Sequence, residues 1–203
     1  MRLALLALLA GIVAYAAAAV AAAPAPERLV MKPYPGQWKR ITDQTDGGSW
    51  FHEQIPVGQG ENTFTDILSD QAFAKLKGYD PAAFLTALFQ RINGGCTGLV
   101  VNGPVTHTEG GLTVAYGQAY CGQQTGQPYG VHMFYKLIGG RDALYMVDRE
   151  FHVPPSANGG ALSFPKDQAA AGLALLKNEA AANKYLTDDI YVCGGASTDP
   201  RCR

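Results

Sequence analysis

From Trp38 onward the chain switches between two hydrophobic periods. Runs that alternate apolar and polar positions, or stay apolar over a few residues, read as β-strands at Trp38–Thr42, Ser49–Val57, Cys96–Val101 with Val105–His107, Leu112–Cys121, Val131–Ile138, Ala143–His152 and Ile190–Val192. Glycine-rich turns at Asp43–Gly48, Thr108–Gly111 and Gly139–Asp142 join consecutive runs, which is the signature of hairpins and so of a mainly antiparallel sheet. The period lengthens after Asp80-Pro81, where an N-cap acceptor and a first-turn proline precede an apolar stripe of Phe84, Leu85, Leu88, Phe89 and Ile92. Asn93-Gly-Gly95 ends that helix. Pro165 and Asp167 open a second, alanine-rich helix with Leu173, Leu176 and Tyr185 expected inward. Residues 63–76 fit a helix through Phe64, Ile67, Leu68, Ala72 and Leu76, with Thr63/Asp66 resembling a capping box. The alternative strand would have to accommodate acidic residues on the face of its apolar ones. The pattern predicts one α+β domain over residues 38–203, a mainly antiparallel sheet built from hairpins with two or three helices packed on it.

The first residues change the picture of where such a domain resides. Arg2 precedes a long apolar run ending in Val20-Ala-Ala-Ala23, which reads as a secretory signal peptide over residues 1–22. Val20 and Ala22 supply the small residues for cleavage after Ala22, while Pro24 disfavours a cut after Ala23. An uncleaved anchor is the competing reading, but alanine is weakly apolar and no basic flank follows, so no stable membrane insertion is expected after cleavage. One arginine rather than a twin pair points to the general secretory route, and hence to a periplasmic or extracellular protein. Residues 23–37 carry Pro24, Pro26, Pro33 and Pro35 and read as an extended leader outside the packed domain.

Charge adds an exclusion. The formal net charge is −1, and losing Arg2 with the signal makes it −2. Neither value suits a nucleic-acid partner, which requires a concentrated basic surface. The four cysteines of an exported chain are expected to form two disulfides. Cys193 and Cys202 bracket a turn-rich loop, and antiparallel pairing of their strands would bring Cys96 opposite Cys121, giving the pairs Cys96–Cys121 and Cys193–Cys202. No C-x2-4-C pair suggests a metal site.

Candidate chemistry is sparse. Ser49-Trp-Phe-His-Glu-Gln-Ile-Pro56 begins like the zinc signature H-E-x-x-H, but Pro56 stands where the second histidine should be and disfavours helix before it. His52 and Glu53 are therefore expected on opposite faces of a strand. No dinucleotide, Walker or G-x-S-x-G motif follows, so no cofactor and no catalytic nucleophile are identified. One constellation remains. Asp148, Glu150 and His152 alternate along one strand and share a face, with His132 on the neighbouring hairpin arm; two carboxylates and an imidazole suit acid/base work or a divalent cation, against the plainer reading of a solvated strand end. Tyr116, Tyr120, Tyr129, Tyr135 and Tyr145 are candidates either for lining a ligand groove or for sheet packing.

The chain from Trp38 to Cys202 resembles a group of secreted proteins of Gram-negative bacteria to which no activity is assigned. The resemblance rests on Glu53-Gln-Ile-Pro-Val-Gly-Gln59, the separated Cys96 and Cys121, the hairpin from Lys136 to Val147 and the closing Cys193 to Cys202 loop. It implies a periplasmic setting and paired cysteines, and carries no site residue. The sequence thus favours an exported, disulfide-stabilised envelope protein that binds a partner or small ligand without catalysis. The alternative is a periplasmic hydrolase or metal-dependent enzyme using Asp148, Glu150 and His152.

Overall fold

The computed structural model describes residues 25–156, 164 and 166–203; the expected signal peptide and Pro165 lie outside them. Nine strands and two α-helices are formed among these residues: β1 (Arg28–Met31), β2 (Trp38–Asp46), β3 (Ser49–Pro56), β4 (Asp66–Phe73), α1 (Pro81–Asn93), β5 (Cys96–Glu109), β6 (Leu112–Gln124), β7 (Gly130–Gly139), β8 (Leu144–Val153), α2 (Ala169–Asp188) and β9 (Ile190–Cys193). Seven of the strands make one antiparallel sheet in the order β2-β3-β4-β8-β7-β6-β5, and β1 pairs with β9 in a second, two-stranded sheet. The α+β expectation therefore holds at the level of architecture. Two hairpins turn through consecutive glycines of positive φ, Gly47-Gly48 and Gly110-Gly111, the conformation that matches strand twist in two-residue connections.

Each face of the large sheet carries its own core. On one face α1 lays Leu85 and Phe89 onto Ala115, Ala119, Met133, Leu137 and Met146. Asp80 caps this helix by accepting the Ala82 N–H at 2.9 Å. Gly117 lets the helix sit directly on β6, because a Cβ there would come within 2.8 Å of Leu85 Cδ2 and 2.9 Å of Phe89 Cζ. On the other face α2 packs over β7 and β8, enclosing Phe134, Val147, Phe151, Tyr185 and Leu186.

Three expectations are corrected. Residues 66–73 form strand β4, not a helix. Its acidic residues do fall on the face of Leu68 and Ala72, as the helical reading sought to avoid, but each is partnered: Asp66 by Arg149, and Asp70 by Trp50 and His52. Cross-strand partners that a sequence window does not contain make the strand viable. The leader is part of the fold, since Arg28–Met31 pair with Ile190–Cys193 and Leu29 and Met31 pack on the core. The α2 stripe is rotated. Leu173 and Leu176 are 61% and 54% exposed, while Gly172, Glu179, Ala182, Tyr185 and Leu186 are buried. An alanine-rich helix offers several faces of similar apolarity, so its few leucines do not fix which one turns inward.

Both expected disulfides are present, Cys96 to Cys121 and Cys193 to Cys202. The first differs from the expected geometry. Leu99 stands opposite Cys121 in the ladder and Cys96 stands opposite Gln124, so the bond runs diagonally, across a Cα separation of 5.6 Å beside Gly98 of positive φ. The two runs read separately as Cys96–Val101 and Val105–His107 form one strand, β5, with a register shift between Asn102 and Val105.

Candidate functional site

Helix α2 covers β7 and β8, and farther along the same face β2, β3 and β4 form the floor of a cleft of about 560 Å³. Residues 32–36, leaving β1, and Tyr185 of α2 make the opposite wall. This wall is fastened at several points. Tyr185 Oη donates to the Lys32 carbonyl at 2.7 Å, Lys32 Nζ pairs with Asp189 at 2.9 Å, and the Tyr34 ring meets Tyr185 and Trp38 edge-on. Ahead of β1, the Glu27 carboxylate accepts the backbone N–H groups of Arg141 and Asp142 at 2.8 Å, and Asp142 accepts the N–H of Glu27 in return.

The floor is organised by strand register. Asp43, His52 and Asp70 are direct partners across β2, β3 and β4, so their side chains stand in one row on one face. His52 Nδ1–H donates to Asp70 Oδ2 at 2.8 Å, and Nε2 lies 3.4 Å from Asp43 Oδ1. Trp50 Nε1–H donates to the same Asp70 oxygen at 2.9 Å. Asp70 is only 7% exposed, yet it lines the cleft, and its Oδ1 takes no hydrogen bond from the described residues. Trp38, Trp50 and Tyr34, each partly exposed, supply flat apolar walls around this polar centre.

Behind the wall, the fully buried Arg149 stacks its guanidinium against Tyr34 at 4.0 Å and Trp38 at 4.8 Å from the ring centres. It pairs with Asp66, while its Nε and Nη1 find no hydrogen-bond partner among the described residues. Burial holds the Asp66 carboxyl above its usual range despite the opposing effect of Arg149.

The sequence-derived constellation lies on the other side of the sheet. Asp148, Glu150 and His152 do alternate onto one face of β8, the α1 face, but they do not converge on a common point. Asp148 is buried opposite Ser69, and burial together with the neighbouring Glu150 pushes its carboxyl well above the usual range. Glu150 lines a separate cavity of about 300 Å³ with Arg91, Met133 and Tyr135. His152 is stacked on Tyr129 at 3.8 Å and flanked by Phe64; its Nε2 stands 3.5 Å from Glu150 Oε1 without a hydrogen bond. His132 is on the opposite face, with Nδ1 2.8 Å from Glu179 Oε1 of α2. Among the described residues no group of three or more His, Cys, Asp or Glu side chains is placed to hold a metal ion.

The tyrosines divide in the same way. Tyr116 and Tyr145 join the α2 side, Tyr120 meets His132 edge-on, and Tyr129 and Tyr135 join the α1 side, so the five do not line one groove. His52 and Glu53 point apart as the strand reading requires, Glu53 taking a hydrogen bond from Thr42. Sequence reasoning passed over Trp38, Trp50 and Asp70. The available signal was the period-two spacing of Trp50, His52 and Gln54 on a strand, a face too polar for an ordinary core.

No helix among the described residues is long and apolar enough to cross a membrane. No protein-family model matches the chain, and no curated protein matches it. Among solved structures, LpqN, described as involved in cell envelope biogenesis of Mycobacterium tuberculosis, superposes over 86% of this chain and 87% of its own at 14% identity and a TM-score of 0.42.

Proposed function

We propose that this chain is an exported, disulfide-stabilised protein of the cell envelope that binds a small ligand, without catalysis, in the cleft between β2–β4 and the β1 strap. The single observation that carries the reading is the composition of that cleft: Trp38, Trp50 and Tyr34 around a nearly buried Asp70 whose geometry is fixed by Trp50 and His52. Concave sites with apolar walls and a few convergent polar groups are where proteins take small ligands. Among the described residues, no serine, threonine or cysteine lines the cleft to act as a nucleophile beside the His52–Asp70 pair, which favours binding over acyl transfer. Two cross-linked cysteine pairs support residence in an oxidising compartment.

Trp38 and Trp50 are the two tryptophans of the chain and both line this cleft; Trp50 also borders a second depression with Phe51 and Phe73, so the Trp38 contribution is the one specific to the cleft. Titrating the mature protein with low-molecular-weight envelope components is expected to change that emission saturably, with the change lost in Trp38→Ala. Emission that no fraction alters would refute the reading. Export is checked separately, by finding an N-terminus at Ala23 and no titratable thiol in protein taken from the periplasm.

A further inference from the structure

The chemistry of the cleft goes further than the presence of a ligand, and resting on the reading above it narrows the ligand's class by charge. A carboxylate that is almost entirely buried, Asp70, stands in the floor and repels an anion from close range. A cation is disfavoured as well. The Arg149 guanidinium already stacks on the Tyr34 and Trp38 rings, and one cation held there weakens the pull of the same rings on a second. The positive groups are themselves paired, Lys32 with Asp189, Arg40 with Asp43 and Arg149 with Asp66, so they do not call for an anion either.

What remains is a neutral ligand that has both an apolar face and hydrogen-bonding groups. The polar groups suit hydroxyls. Asp70 Oδ1 takes no hydrogen bond from the described residues, and a carboxylate oxygen is a strong acceptor for a ligand hydroxyl. Gln54 stands next to His52 on the same face of β3 and has both an acceptor and a donor to offer, with no side-chain hydrogen bond of its own among the described residues. Flat indole rings at Trp38 and Trp50 suit the C–H face of a pyranose ring, whose rim carries the hydroxyls. The volume of about 560 Å³ falls within the range of ordinary small-ligand sites. We infer that the cleft binds a neutral saccharide, with a sugar ring against the tryptophans and its hydroxyls on Asp70 and Gln54.

The test is a set of parallel titrations of the mature protein, read by tryptophan emission and by calorimetry, with chitotriose and maltotriose as neutral saccharides, choline as cation, inorganic phosphate as anion and decanoate as amphiphile. At least one saccharide is expected to bind saturably. Trp50→Ala is expected to weaken it by about tenfold or more, and Gln54→Ala, at a position with no structural hydrogen bond, by several-fold with the thermal midpoint unchanged. If choline, phosphate or decanoate binds in a manner sensitive to Trp50→Ala while neither saccharide does, the saccharide assignment falls and the cleft stands as a site of another class. If no probe binds, or if saccharide binding is indifferent to both substitutions, the assignment falls too, and in the latter case the sugar occupies some other surface.

Discussion

Lys136 Nζ lies 2.7 Å from Glu109 Oε2, and the lysine, on the interior strand β7, is sealed completely from solvent. The same nitrogen donates to the Ile190 carbonyl at 2.7 Å, so one buried ammonium joins the end of β5, the interior of the large sheet and β9. Burial lowers the Lys136 pKa against the opposing effect of Glu109. For Glu109 itself burial acts upward, but hydrogen bonds from Lys136, Tyr116 and His107 outweigh it and hold the carboxyl below its usual range. Removing one member of a buried pair strands the other's charge. Glu109→Ala is expected to lower the unfolding free energy by about 3 kcal/mol, and Lys136→Met by less, because Glu109 is partly exposed and keeps Tyr116 and His107 as partners. Urea denaturation of both variants checks the order; a larger loss in Lys136→Met would contradict it.

Asp148 has the opposite pH signature. Its carboxyl is held well above the usual range by burial and by Glu150, so between the unfolded value of about 3.9 and the folded one the native state binds more protons than the unfolded chain. Stability associated with this residue is therefore greatest below the unfolded value and declines as pH rises toward the folded one. Asp148→Asn removes the titration and keeps a polar group opposite Ser69. It is expected to raise the thermal midpoint at pH 7 and to flatten its decline above about pH 4. A midpoint that falls at pH 7 would mean that Asp148 is charged and stabilising in the native protein.

These two buried charged sites show what was legible in the sequence and what was not. Local signals sufficed for α1, where Asp80-Pro81 and Asn93-Gly-Gly95 mark both ends, and for the hairpins at Gly47-Gly48 and Gly110-Gly111. They failed at β4, whose Asp66 is stabilised by Arg149 from a strand far along the chain and whose Asp70 is stabilised by Trp50 and His52 across the ladder from the preceding strand. The cleft was missed for the same reason. Its central row of Asp43, His52 and Asp70 exists only once three strands are in register, and its outer wall comes from a leader that pairs with the last strand. Asp148, Glu150 and His152 share one face of β8, but Asp148 is buried, His152 is stacked on Tyr129 and only Glu150 borders a cavity: alternation puts side chains on one face and says nothing about whether a common open space lies above them.

The rotated face of α2 is open to a direct comparison. Leu173 and Leu176 are exposed, so replacing either with Ser is expected to change stability by no more than about 0.5 kcal/mol. Leu186, buried under the β7–β8 surface, is expected to cost about 2–5 kcal/mol on truncation to Ala. Equal losses at the three positions would restore the inward orientation that the sequence suggested.

At Gly117 helix α1 approaches β6 closely. A methyl group there would press on Leu85 and Phe89, forcing α1 away from β6. Gly117→Ala is expected to cost about 1–3 kcal/mol through overpacking. Because the clash is with side chains, Leu85 being one of the two, the combination with Leu85→Ala should be less damaging than the sum of the two single changes, and a double-mutant cycle measures that coupling. Strict additivity would locate the cost in the strand backbone instead.

The diagonal disulfide acts at a particular place in the sheet as well as on the unfolded chain. Cys96 and Cys121 are 25 residues apart and Cys193 and Cys202 are 9 apart, so the chain-entropy account assigns about 3.5 kcal/mol to the first closure and about 2.5 kcal/mol to the second. The first also acts locally. Strand β5 is the edge of the large sheet, carries exposed Val100, Val101 and Val105, and breaks register at Asn102, so the cross-link fastens the end of a strand that is interrupted in its middle. Replacing Cys96 and Cys121 with Ala should lower global stability by roughly the first figure and, in addition, speed amide exchange of residues 96–102 beyond that of β6 and β7. The Cys193/Cys202 double replacement should leave that segment's exchange tied to global unfolding. If both pairs loosen β5 equally, the bond at Cys96 works only through the unfolded chain, and its placement beside the register break has no local consequence.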